Sequence, residues 1–169
     1  MKEKGLAFRK CLEIGEGIWY KRLTTNTQIQ EGNVAQNSKM FGEYLKEKDI
    51  NLEKKVFEDS VAFMVREALP EVGPVTITTL FNNNDRIVTV ICHQYLKITD
   101  SQKKQAVLEF INTLNCEYTV AKFTESADAV TMQIIVPFHD NFSPELIIQM
   151  ISMMLEAIKA EHPRFMALL

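Results

Sequence analysis

The residues able to do chemistry are few and scattered. Three cysteines, Cys11, Cys92 and Cys116, and three histidines, His93, His139 and His162, are the soft or neutral-pH groups of the chain. Cys92-His93 has the residue types of a thiol nucleophile and its base. Adjacent residues on a strand point to opposite faces and cannot share a proton, so the pair reads as a core thiol beside an exposed imidazole. No HxxxH or Cys-plus-His spacing occurs, so metal ligation would need long-range convergence that the spacing does not signal. An odd number of unspaced cysteines suits free thiols in a reducing compartment. Gly15-Glu16-Gly17 lacks both a preceding strand and the third glycine of a phosphate-binding loop. Glu58, Asp59, Asp128 and Asp140 fall in turns, where carboxylates serve the backbone. These residues signal no catalytic, metal or cofactor site.

The elements that would position any site are clearer. At 169 residues, 46% hydrophobic and 24% charged, the chain is sized for one globular domain with an appendage. A net charge of −3 gives no basic surface to displace counterions from phosphates, which disfavours nucleic acid. No apolar run reaches the roughly 18 residues of a membrane span, and the N-terminus lacks the apolar core of a signal peptide. No membrane contact and a cytoplasmic location are expected.

Residues 1 to 23 carry six Lys or Arg against three Glu, a local +3, leaving −6 for the remainder. Their Ile18-Trp19-Tyr20 knot reads as part of a mobile tail or of a docking arm. Residues 24 to 37, rich in Thr, Asn and Gln, read as a linker. Residues 1–37 are therefore an arm and linker, and residues 38–169 the folded domain, opening with a helix capped by Ser38 and running to about Lys48. Period-two alternation then marks an antiparallel meander. Val61, Phe63 and Val65 oppose Ala62, Met64 and Arg66, followed by Val75, Ile77 and Phe81, and by Ile87, Thr89 and Ile91. A short strand is expected near Lys55 to Glu58. Asp59-Ser60, Pro70 to Pro74 and Asn82 to Asp85 are its turns.

A second helix, capped by Thr99, Asp100 or Ser101, runs to about Asn115 with Val107, Phe110, Ile111 and Leu114 on one stripe. A strand over Cys116 to Thr124 carries Tyr118 and Val120, Glu125 to Ala129 turns the chain, and Val130, Met132, Ile134, Val136 and Phe138 line the last strand. The final helix is the most sharply bounded, with Ser143 as N-cap, Pro144 at the first position and His162-Pro163 as the stop. Its apolar arc spans roughly 220°, more than twice what one-sided packing needs, so it requires two covers. Four of the eight methionines, Met150, Met153, Met154 and Met166, lie in or just beyond it. Methionine suits an irregular core and an adaptable binding surface alike. Met153 and Leu155, on opposite edges of that arc, and Leu108, which escapes the stripe of the middle helix, are the candidate partner or dimer interface.

Three strings carry a resemblance. FINTLNCEYTVAKF, IIVPFHDNFSPELI and the ending AEHPRFMALL, with Leu114-Asn115, Ala121-Lys122-Phe123 and Ser143-Pro144-Glu145 at their centres, resemble the YbjN-like family of bacterial sensory transduction regulators over about residues 38 to 169. That family resembles the type III secretion chaperones in fold. The resemblance implies an α+β protein of order α-β(3-4)-α-β-β-α with an antiparallel sheet, non-enzymatic and dimeric, binding a partner protein or peptide. The homodimer would use the middle helix and the strand after it. The competing class is a small-molecule sensor or an enzyme with a pocket between sheet and helices.

Overall fold

The computed structural model describes residues 34–57, 59–82, 86–138 and 141–169, all within the unit Glu31–Leu169. The expectations for the N-terminal arm, for Glu58, for most of the Asn82 to Asp85 turn and for His139 and Asp140 lie outside the described residues. In chain order the elements are α1 (Val34–Glu47), β1 (Glu53–Val56), β2 (Ser60–Leu69), β3 (Gly73–Asn82), β4 (Ile87–Lys97), a 3-10 turn (Ser101–Lys103), α2 (Lys104–Glu117), β5 (Ala121–Ser126), β6 (Ala129–Pro137) and α3 (Pro144–Met166). The expected α+β class and antiparallel sheet are both present. The six strands lie in the order β1-β2-β3-β4-β6-β5, every pair antiparallel.

Register explains how one face became the core. Phe63 pairs with Thr79, Thr79 with Val90, Val90 with Ile134 and Ile134 with Ala121, and the residues two apart along each strand share that face. Phe63, Ile77, Phe81, Val90, Cys92, Phe123, Met132 and Ile134 join a single buried cluster with Phe41 and Leu45 of α1, Val107, Ile111 and Leu114 of α2, and Ile147, Met154, Ile158 and Phe165 of α3. All three described helices therefore cover the same side of the sheet. Phe41 stands edge-on to Phe63, ring centroids 5.0 Å apart, and fixes α1 over β2.

Several boundaries differ from expectation, each for a local reason. α1 begins at Val34 rather than at a Ser38 cap, because Val34 to Asn37 holds no Gly or Pro to stop it, and Ser38 is buried on the stripe of Phe41 and Leu45. It ends with Asp49 at φ 55° and Ile50 N–H donating to Leu45 C=O at 2.8 Å, a left-handed cap. β1 is offset toward the N-terminus, at Glu53–Val56. Pro74 lies within β3, so the turn after β2 is only residues 70–72, with Gly73 at φ 93°. α2 runs through Cys116 to Glu117, and β5 starts at Ala121, so Tyr118 and Val120 belong to the connection. The turn after β5 is just Ala127 and Asp128, both at positive φ, the signature of a two-residue type I′ hairpin.

Ser143 caps α3 as expected, its hydroxyl accepting from Leu146 N–H, with Pro144 at the first position. His162-Pro163 does not stop it. The helix continues to Met166, because Phe165 is fully buried against Phe110, Phe123 and Tyr95, which offsets the hydrogen bond that proline removes.

Candidate functional site

Of the three residues put forward for an interface, Leu108 lies half-buried on α2, apart from the buried Val107, Ile111 and Leu114. Met153 and Leu155 are half-buried and packed against the core on α3. At about 100° per residue they sit some 200° apart, on opposite flanks of that helix, so they do not form one patch with each other. The wide arc is buried along its middle and half-buried on both flanks. Ile147, Ile151, Met154 and Ile158 are buried, while Leu146, Ile148, Met150, Met153 and Leu155 flank them half-buried.

The face of the sheet opposite the described helices carries Ala62, Met64, Thr89 and Ile91, which the meander reading names, beside Thr78, Leu80, Gln133 and Ile135, which it does not. One cross-strand row runs Lys55, Ala62, Leu80, Thr89, Ile135, and the next runs Glu53, Met64, Thr78, Ile91, Gln133, Lys122. Ala62, Met64 and Thr78 are buried, Leu80 and Ile91 half-buried, and Ile135 is 50% exposed. Val120, opposite Ile135 when the β5–β6 register is continued by one residue, is also 50% exposed. Both rows begin in charge, at Lys55 and Glu53; on the other edge the second ends in Lys122 and the first in exposed Ile135 and Val120. The alternation at Ile135 was legible in sequence. Its exposure was not, because it depends on which face the helices choose.

His93 lies on this same side, half-buried rather than the exposed imidazole expected, and burial holds its pKa below the ordinary value. Its neighbour Cys92 faces the helices and is fully buried, which pushes the thiol up to about 12 despite a backbone hydrogen bond with Thr76. A thiol so held carries almost no thiolate at neutral pH and is no nucleophile.

The third feature is polar and buried, at the end of α3. Glu161, 5% exposed, accepts from the Tyr118 hydroxyl at 2.8 Å and from Arg164 at 2.8 Å. Arg164 also reaches Glu117 at 3.2 Å, and its guanidinium lies over the Phe110 ring at 4.7 Å. Burial, and then the bond to Glu161, push Tyr118 up to about 12, so it keeps its proton and acts as a donor. A bulge in β4 between Cys92 and Leu96, with Gln94 at φ 48° and its N–H on the Thr131 hydroxyl, re-aims Tyr95 toward Phe165. Burial raises the Tyr95 hydroxyl well above its usual range, reinforced by Cys92, Glu161 and Tyr118. Its oxygen and His162 Nδ1 are buried without a hydrogen-bond partner.

The charges of Glu117, Glu161 and Arg164 are paired with one another, while the Tyr95 hydroxyl and His162 Nδ1 are not hydrogen-bonded. The chemistry of this cluster is that of a lock between α2 and α3. Among the described residues no group of three or more His, Cys, Asp or Glu side chains is arranged to hold a metal ion, and no helix is long and apolar enough to cross a membrane. No family model matches the chain, and no curated protein or solved structure matches it.

Proposed function

We propose that the chain is a non-enzymatic protein-interaction module, chaperone-like or regulatory, that forms a homodimer and binds a partner protein or peptide. The observation that carries this reading is the sheet face opposite the described helices, where Ile135 and Val120 stand exposed beside half-buried Leu80 and Ile91. Apolar side chains in such a row contribute roughly 25 cal/mol per Å² when covered. The reading is also supported by the strings around Leu114-Asn115 and Ser143-Pro144-Glu145, which carry the resemblance to the YbjN-like family. Leu108 on α2 and the two separate flanks of α3 at Met153 and Leu155 stand as further candidate surfaces.

Sedimentation of the parent beside Ile135→Asp, Met153→Asp and Leu155→Asp tests it. The parent is expected to exceed monomer mass at micromolar concentration, and Ile135→Asp to stay folded while losing association, since a charge costs little on a free surface and much in an interface. A monomeric parent removes the homodimer. Loss of association only in Met153→Asp or Leu155→Asp moves the interface to α3. The chaperone-like part requires the parent, and not Ile135→Asp, to bind a permanently unfolded apolar polypeptide.

A small-molecule sensor or enzyme is the second reading, favoured by the unpartnered Tyr95 hydroxyl near Glu161 and by buried His162 Nδ1. It requires a ligand that raises the melting temperature of the parent and not of Tyr95→Phe.

A further inference from the structure

A sheet with six strands in a row has two edges, and each offers unpaired backbone groups to any passing strand. β1 is defended by being short, with only four residues, all exposed, of which Glu53, Lys54 and Lys55 are charged. β5 is longer, at six residues, and only Lys122 and Glu125 among them are charged. Alternation in an antiparallel pair means that a residue directs its N–H and C=O together, either to the neighbouring strand or away from it.

Phe123 directs both away from β6. Its N–H donates to Asn115 Oδ1 at 2.8 Å, and its C=O accepts from Asn115 Nδ2 at 2.9 Å. One side-chain amide thus makes the two bonds that the backbone of an added strand would make. Asn115 is held there from the other direction by Lys122, whose ammonium donates to the Asn115 carbonyl at 2.9 Å and the Tyr118 carbonyl at 3.2 Å, at the C-terminal end of α2.

We infer that Asn115 is the guard of the β5 edge, occupying the Phe123 backbone and so preventing β5 from pairing with the β5 of a second copy. The second copy is the fitting intruder because two identical edges meet antiparallel about a two-fold axis, with Phe123 opposite Phe123 and Ala121 opposite Glu125. Any association of the parent chain therefore runs through other surfaces, and the guard stands or falls independently of them.

Asn115→Ala tests this by comparison with the parent over one concentration series, using sedimentation and hydrogen exchange at the Phe123 amide. The parent amide is protected at every concentration, because its partner is intramolecular. In Asn115→Ala the mass rises toward twice that of the parent's species, and protection of Phe123 is lost at low concentration and regained at high. A folded Asn115→Ala that matches the parent's mass throughout, with Phe123 exchanging freely at every concentration, overturns the inference. Should Asn115→Ala fail to fold, Asn115→Asp, which keeps the acceptor for the Phe123 N–H and loses the donor, is read by the same two measurements. Failure of both variants to fold makes Asn115 a folding residue alone and also overturns the inference.

Discussion

Tyr118 and Tyr95 approach the same buried carboxylate, and only one of them is bonded to it. Tyr118→Phe leaves Glu161 Oε1 without its donor, an expected loss of about 1–3 kcal/mol, whereas Tyr95→Phe deletes a buried hydroxyl with no partner and should be neutral or stabilising by up to about 1 kcal/mol. Urea unfolding of both variants decides it, and equal losses would show that the Tyr95 oxygen is satisfied. His93 gives a prediction in pH. Its folded pKa is lowered by burial, so between that value and the ordinary 6.5 the unfolded chain binds more protons. The histidine's contribution is complete above 6.5 and is lost as pH falls through the folded pKa. His93→Gln should flatten that acid-side fall in the urea midpoint, and an unchanged profile would exclude His93 as its source. Neither tyrosine's role was legible in sequence. Tyr118 lay in a stretch that read as strand, and Tyr95 reaches Phe165 only through a bulge whose one local sign, Gln94 at positive φ, has no sequence signature.

Elements were legible where one face alone decides the pattern. Val61, Phe63 and Val65 alternate in sequence and in register, and Val130 through Phe138 all prove buried at every second position. Ends were legible where a cap has its own chemistry, as at Ser143-Pro144, and illegible where packing overrides a local rule. Pro163 is a helix breaker by propensity and is carried inside α3 by buried Phe165. Asn115 read simply as the end of a helix, because its partner Phe123 belongs to the next element. The β5–β6 hairpin holds a strain that can be relieved. Ala127 sits at φ 52°, a left-handed conformation that costs an L-residue about 1–2 kcal/mol. Ala127→Gly should raise the stability by about 1 kcal/mol, net of the entropy glycine adds to the unfolded chain. A lower melting temperature for Ala127→Gly would mean that the methyl contributes packing that outweighs the strain.

At the scale of the whole molecule the sheet order holds a division that the helices conceal. α1 through β4 form a meander of neighbours in sequence, α2 through α3 form a second contiguous block, and a single ladder, β4 on β6, joins the two blocks within the sheet. Each block has an aromatic cluster, and Phe81 on Phe142 and Tyr95 on Phe165 join the two. Phe41, Phe63 and Phe81 pack together in the first, and Phe110, Phe123, Phe165 and Tyr118 in the second. Local pairings form early because little chain entropy is lost in closing them, so the slow step of folding should be the docking of the β5–β6 hairpin onto β4. A chain divided so cleanly should tolerate being cut. Thr99 and Asp100 are exposed between the blocks, and a backbone break there leaves every strand with its sequence neighbours. The two fragments, produced together, are expected to recover each other as a stable pair, and to lose that ability when Val90→Asp or Ile134→Asp places a carboxylate in the one ladder they share.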